Sequence, residues 1–287
     1  MPRYQACRVA SPGQPVASSG FQSAHFSPLN QLPSPLVTEP KTAPTEPRFT
    51  IGDVLLVVLA GFLTALVATF ALAAAGDGDI DIVMSVVVLL PAQYVGQLAV
   101  IAWIVRRRRT TFAAGLRFDI QPGDLFYTLT GLALQFVIAL LFFPLYELAG
   151  LDESGQTIVD VAADTELPLI ALIVLSLTAA VAAPVIEELT YRGILVRSLA
   201  RRMSTRATIL VSSLVFASAH ILSVDLTDPR WLVQFGILIP QLFLVAVPLA
   251  WLTLKHDRLG PAIFTHAGFN LWLVIFVAGA DYFAELG

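Results

Sequence analysis

Apolar residues fall along this chain in long blocks, each ended by a cluster of charge or by proline, glycine and polar residues. A helix crossing the bilayer core needs about 20 predominantly apolar residues. Seven blocks reach or approach that length: Val54 to about Ala75, about Ile82 to Val105, about Leu125 to Leu148, a fourth beginning near Pro168, about Ala207 to Val224, about Trp231 to Leu254, and about Pro261 to Gly279. The pattern predicts an all-α fold, a polytopic membrane helix bundle of about seven to eight transmembrane helices. Two segments set that range. Thr111 to Asp124 scatters Phe112, Leu116, Phe118 and Ile120 among polar residues, as an interfacial helix or a connector would. Thr157 to Ala163 has room for a short extra helix. There is no internal repeat or inverted duplication of the kind many transporters carry. Residues 1–49 hold no apolar period and contain half of the 18 prolines. They read as a disordered Pro/Ser-rich tail rather than a signal peptide, which leaves 50–287 as the transmembrane domain.

Composition agrees with the pattern. Of 287 residues, 56% are hydrophobic and 13% charged, against about 25% charged in soluble domains. The net charge of −4 matters less than its layout. Arg106 to Arg109 and Arg117 follow the second block, Arg197, Arg201, Arg202 and Arg206 the fourth, and Lys255 and Arg258 the sixth. Asp77, Asp79, Asp81, Glu147, Asp152, Glu153, Asp160, Asp164, Glu166, Asp225 and Asp228 occupy the opposite loops, where Arg230 is the one basic residue. Because Lys and Arg favour cytoplasmic loops, this layout predicts a multi-pass plasma (inner) membrane protein with its N-terminus in the cytoplasm. Membrane lipids are then expected partners, and nucleic acid is not. The lone Cys7 excludes an internal disulfide and any cysteine-based metal cluster.

The fourth block carries Glu187-Glu188-Leu189-Thr190-Tyr191-Arg192. Charged side chains at bilayer depth cost roughly 2.5–3.5 kcal/mol each on insertion scales, so three of them in one turn and a half need partners, water or a task. Residues four apart share a helix face, which makes Glu188 and Arg192 an intrahelical pair. Glu187 projects instead toward the face of Tyr191 and Ala183, and Pro184 is placed to kink the helix beside it. Two other blocks bring His220, after Phe216-Ala217-Ser218-Ala219, and His266, four residues before Asn270 on the same face. An imidazole and an amide on one face suit donation to a developing oxyanion. A carboxylate in a low-dielectric site suits a general base. Equally, Glu187, His220 and His266 form a two-His, one-carboxylate set of the type that holds zinc with an open water position, although H-E-x-x-H is missing.

Glu187-Glu188-x-x-x-Arg192, Phe216-x-x-x-His220 and His266-x-x-x-Asn270, in that order, resemble the three motifs of the CPBP family. This is the family of CAAX proteases and bacteriocin-processing (Abi) enzymes, and the resemblance covers about residues 165–280. It implies an intramembrane endopeptidase, acting on membrane-associated proteins or peptides from a cytosol-facing cavity. It implies further that Glu187 and His220 activate water, that His266 and Asn270 stabilise the oxyanion, and that Glu188 and Arg192 organise the site. Two readings from other classes also accommodate buried Glu and His: a proton-coupled membrane transporter, and a non-catalytic immunity or scaffold membrane protein.

Overall fold

With no water to satisfy backbone groups in the bilayer core, a chain this apolar must pair its N–H and C=O groups within helices. A computed structural model describes residues 48–75, 80–151, 167–224 and 226–284. They form eight helices and no strand. In chain order these are α1 (Ile51–Ala75), α2 (Ile82–Arg107), α3 (Phe112–Leu116), α4 (Pro122–Ala149), α5 (Leu169–Ala200), α6 (Thr205–Ala219), α7 (Trp231–His256) and α8 (Gly260–Ala284). Five of them, α1, α2, α4, α5 and α7, are long and apolar enough to cross a membrane. The chain is a multi-pass membrane protein. The segment Thr111 to Asp124 proves to be a connector built around the five-residue α3. The suggested extra helix at Thr157 to Ala163 lies outside the described residues.

Local sequence fixes most helix starts. Asp81 accepts from the Met84 amide, Thr111 from Ala114 and Ser204 from Ala207. Thr50 and Asp53 exchange side-chain bonds across the first turn of α1. Each of these groups satisfies an orphan N–H at a helix start. Gly150 closes α4 in the left-handed conformation, φ 61°, which favours glycine at a helix end.

Outward-facing leucine, valine and phenylalanine, such as Val67, Phe70, Phe126 and Leu148, stay exposed along α1 and α4, as a lipid solvent requires. The largest core joins Phe49, Val57, Ile101, Ile104, Leu116, Leu189, Ile194, Leu195, Phe216 and Leu259. It therefore unites α1, α2, α5 and α6 around the segment that carries the Glu pair.

The arginines also tie helix ends together. Arg108 grips Asp53 with one guanidinium nitrogen on both carboxylate oxygens, at 2.9 and 3.1 Å. Asp257 pairs with Arg197 at 3.1 Å and with Arg117 at 3.5 Å. Arg258 pairs with the buried Asp124 beside the start of α8. That bond, foremost among its causes, raises the Arg258 guanidinium above its ordinary range. His256 Nε2 meets the Tyr127 hydroxyl at 3.1 Å.

The tightest crossing is between α4 and α8. A methyl group on Gly131 would stand 2.0 Å from the Thr265 carbonyl oxygen, and one on Gly268 would stand 2.1 Å from that of Thr128. Small residues allow this approach, and it fixes the part of α8 that holds His266.

Candidate active site

Helix α5 is not a uniform α-helix. It widens to five-residue backbone turns over Thr178–Ala182 and again over Glu188–Val196. Wide turns inside helices are uncommon and cluster at functional sites. Pro184 follows the first of them, and Glu187 closes the short α-helical stretch Ala183–Glu187 between the two. The whole second wide segment, Glu188 through Val196, is buried. Gly193 sits within it against Leu116 and Leu259.

Within that segment the expected pair forms. Arg192 Nη1 donates to Glu188 Oε1 at 2.9 Å, with both side chains almost fully buried. A charge buried so deeply needs more than one partner. Arg192 Nη2 also donates to the Ala246 carbonyl of α7, at 3.2 Å. The guanidinium lies over the Phe216 ring, 4.5 Å from its centroid, where the ring's negative face attracts it.

His266 of α8 completes the arrangement. Its Nδ1 lies 2.9 Å from Glu188 Oε1. A carboxylate only accepts, so this nitrogen carries the hydrogen. Its Nε2 faces Glu187 Oε2 at 3.8 Å. Glu188, Arg192, His266 and Glu187 thus form one continuous polar chain from α5 to α8. Glu188 Oε2 is buried and has no hydrogen-bond partner among the described residues. Glu187 differs from its neighbour in being only partly buried, its side chain 19% exposed against none for Glu188. Its Oε1 accepts from the Tyr94 hydroxyl of α2 at 3.4 Å.

His220 reaches the group through Phe216. Its ring lies 4.8 Å from the Phe216 ring, and Nδ1 stands 2.9 Å from the Phe216 carbonyl. That carbonyl can only accept, so Nδ1 is the protonated nitrogen and Nε2 keeps its lone pair. Asn270 does not join the polar chain directly. Its Nδ2 donates to the Ala179 carbonyl in the first wide turn of α5, at 2.9 Å. One amide hydrogen then remains for another acceptor.

The zinc set is not assembled. Among the described residues, no three His, Cys, Asp or Glu side chains are grouped to hold a metal ion. Glu187 and His266 face each other, with His266 Nδ1 held on Glu188 and His220 Nδ1 on the Phe216 carbonyl. Two surface clefts, one lined by Arg197, Arg201, Thr253 and Asp257 and one by Leu210, Leu214, Pro240 and Phe243, do not include the Glu/His residues.

Two participants were not singled out from sequence. Phe216, noted there only as a motif position, is the common neighbour of Tyr191, Arg192, His220 and His266. Tyr94 stands in an apolar span, next to Gln93 and three residues before Gln97. Its signal is positional: Tyr94 lies three residues after Pro91, as Glu187 lies three after Pro184.

No curated protein and no solved structure matches the chain. Residues 169–272 match the family model described as "Type II CAAX prenyl endopeptidase Rce1-like". That region starts at α5 and ends within α8, and it contains Glu187, Glu188, Arg192, His220, His266 and Asn270, while Tyr94 lies outside it. Over this region the chain matches the CPBP/CAAX family of intramembrane proteases.

Proposed function

We propose that this CAAX-type endopeptidase hydrolyses its peptide bond with a water activated by Glu187. The observation that carries the proposal is the inequality of the two adjacent carboxylates. Glu188 is fully buried and bound by Arg192 and His266, whereas Glu187 keeps an exposed edge and faces His266 and Tyr94. A committed carboxylate organises, and an available one accepts a proton.

In this reading Glu187 takes a proton from water as the water oxygen bonds to the scissile carbonyl carbon. The carbonyl π electrons move onto its oxygen. When the tetrahedral species collapses, the C–N bond breaks and Glu187 returns the proton to the departing amine. His220, with Nε2 as an acceptor, holds the second water hydrogen. The remaining amide hydrogen of Asn270 faces the developing oxyanion, and His266 joins it by donating from Nε2 as an imidazolium, Nδ1 staying on Glu188. Glu188 and Arg192 fix the orientation of His266. The Lys/Arg layout supports a cytosol-facing site, an N-terminus in the cytoplasm and insertion in the plasma (inner) membrane. The family's description supports a prenylated chain end as the substrate class.

The test is purified protein with a membrane-associated peptide substrate. Glu187→Gln and His220→Ala should lose cleavage by at least ~10²-fold, the scale of a general base, while remaining folded. Retained proteolysis by purified Glu187→Gln would refute the assignment.

A further inference from the structure

The amide N–H of Ala183 reaches back five residues to the Thr178 carbonyl, which defines the first wide turn of α5. In that register the next N–H would come from residue 184 and bond the Ala179 carbonyl. Residue 184 is proline, which has no N–H. The Ala179 carbonyl is left without its helical donor, within an apolar span where an unpaired backbone group is costly. Its partner comes from another helix, as Asn270 Nδ2 of α8 donates to it at 2.9 Å.

Helix α2 repeats the same element. A wide turn, Ser85–Leu89, is closed by Leu90 N–H on the Ser85 carbonyl, and Pro91 follows at the matching position. Three residues past each proline stand Tyr94 and Glu187, and these two side chains meet at 3.4 Å. The two helices pack together over these stretches. Each wide turn delays the helix by about one residue before the proline, which rotates everything downstream by roughly 100° relative to an unbroken α-helix. The wide turns therefore decide where Tyr94 and Glu187 point.

We infer that Asn270 is a positioning residue for Glu187: its side-chain amide replaces the N–H that Pro184 lacks, and so holds the wide turn of α5 that aims Glu187 toward Tyr94 and His266. The inference rests on the reading of Glu187 as the base, but its first readout does not depend on proteolysis.

The experiment is a double-mutant cycle on the full chain in detergent, following thermal unfolding and single-turnover cleavage. Alone, Asn270→Ala orphans the Ala179 carbonyl and should lower the unfolding midpoint by ~3–6 °C. In a Pro184→Ala background, residue 184 regains an N–H and can bond Ala179 itself. There Asn270→Ala should move the midpoint by no more than about 1 °C, since the two changes act on one carbonyl. Cleavage should fall about 10-fold or more in Asn270→Ala and recover in part in the double variant. Equal midpoint losses in both backgrounds overturn the inference. Should Pro184→Ala fail to fold, Asn270→Asp decides alone, because it keeps the shape and removes the donor. A midpoint drop at least as large as that of Asn270→Ala supports the inference. An unchanged midpoint with lost cleavage overturns it and assigns Asn270 solely to the reacting oxygen.

Discussion

Replacing Gly268 with alanine puts one methyl group into the α4–α8 crossing, two residues from His266. The new Cβ would stand 2.1 Å from the Thr128 carbonyl oxygen, whereas ordinary contact begins near 3.4 Å. The obstacle is backbone, which cannot rotate aside, so the helices must part by about 1 Å at this point, since packed interiors offer no slack. A shift of that size carries His266 Nδ1 away from Glu188 Oε1, from 2.9 Å toward ~4 Å, beyond hydrogen-bond reach. Overpacking costs about 1–3 kcal/mol, and losing a hydrogen bond to a charged group adds about 1.5–3 kcal/mol. At roughly 2–4 °C per kcal/mol, the unfolding midpoint should drop by ~10 °C. Cleavage should fall on the order of 10²-fold, as for a 1 Å misplacement of a catalytic group. Gly131→Ala strikes the same crossing from the other side, 2.0 Å from the Thr265 carbonyl oxygen. The double variant should therefore cost less than the two single losses added together. Gly236→Ala in α7 is the control, with nothing within 4 Å of its new methyl group. It should be neutral or gain up to ~1 kcal/mol from helix propensity. Purified variants assayed by thermal unfolding and single-turnover cleavage decide the matter. If Gly131→Ala and Gly268→Ala both behave like Gly236→Ala, the claim that this crossing sets His266 is wrong.

Glu188→Gln should cost about 3–5 kcal/mol, because it leaves the buried Arg192 charge without its carboxylate. Glu188→Leu with Arg192→Leu should regain much of that stability by unfolding assay and yet remain inactive, since His266 has lost its anchor. Full activity in that double variant would separate the ion pair from catalysis. Tyr94→Phe removes only the hydroxyl on Glu187 and should lower kcat by about 2–10-fold with KM little changed, the equivalent of one hydrogen bond of ~0.5–1.5 kcal/mol. A rise in KM alone would instead place Tyr94 in substrate binding. Outside the membrane spans, the Asp228 carboxyl is held below its ordinary value near 3.8, first by the side-chain hydrogen bond from Arg230. A depressed carboxyl pKa gives stability that is present above the unfolded value and lost as pH falls toward the folded one. Asp228→Asn should therefore flatten the acid side of the stability profile below about pH 4, measured as unfolding midpoint against pH. An identical profile in the variant would show that the Asp228–Arg230 contact contributes nothing.

The span pattern was legible because bilayer thickness imposes a length on each apolar block, and that constraint acts on the sequence directly. The Glu188–Arg192 pair was legible for a similar reason, as four-residue spacing survives even in the widened segment. The one-face pairing of His266 with Asn270 gave no guide to their partners. His266 turns to Glu188 and Asn270 to the Ala179 carbonyl. Separation along a chain also does not say which way a ring turns, and His220 turns Nδ1 to its own helix. Phe216 and Tyr94 were not assigned to the site because an aromatic in an apolar helix carries no mark of what it touches.

By itself, then, the sequence determined that this is a multi-pass helical membrane protein with Glu and His side chains set into the apolar spans of its second half. Those properties follow from local composition and from the high cost of charge in lipid. The tertiary structure decided which carboxylate is buried and which is available, and it brought Tyr94 from α2 to Glu187. It also joined His266 of α8, a helix held by its glycine-lined crossing with α4, to Glu188 of α5. These outcomes depend on where proline and glycine let backbones widen or touch, and on contacts between residues as far apart in the chain as Thr128 and Gly268, which no local pattern encodes.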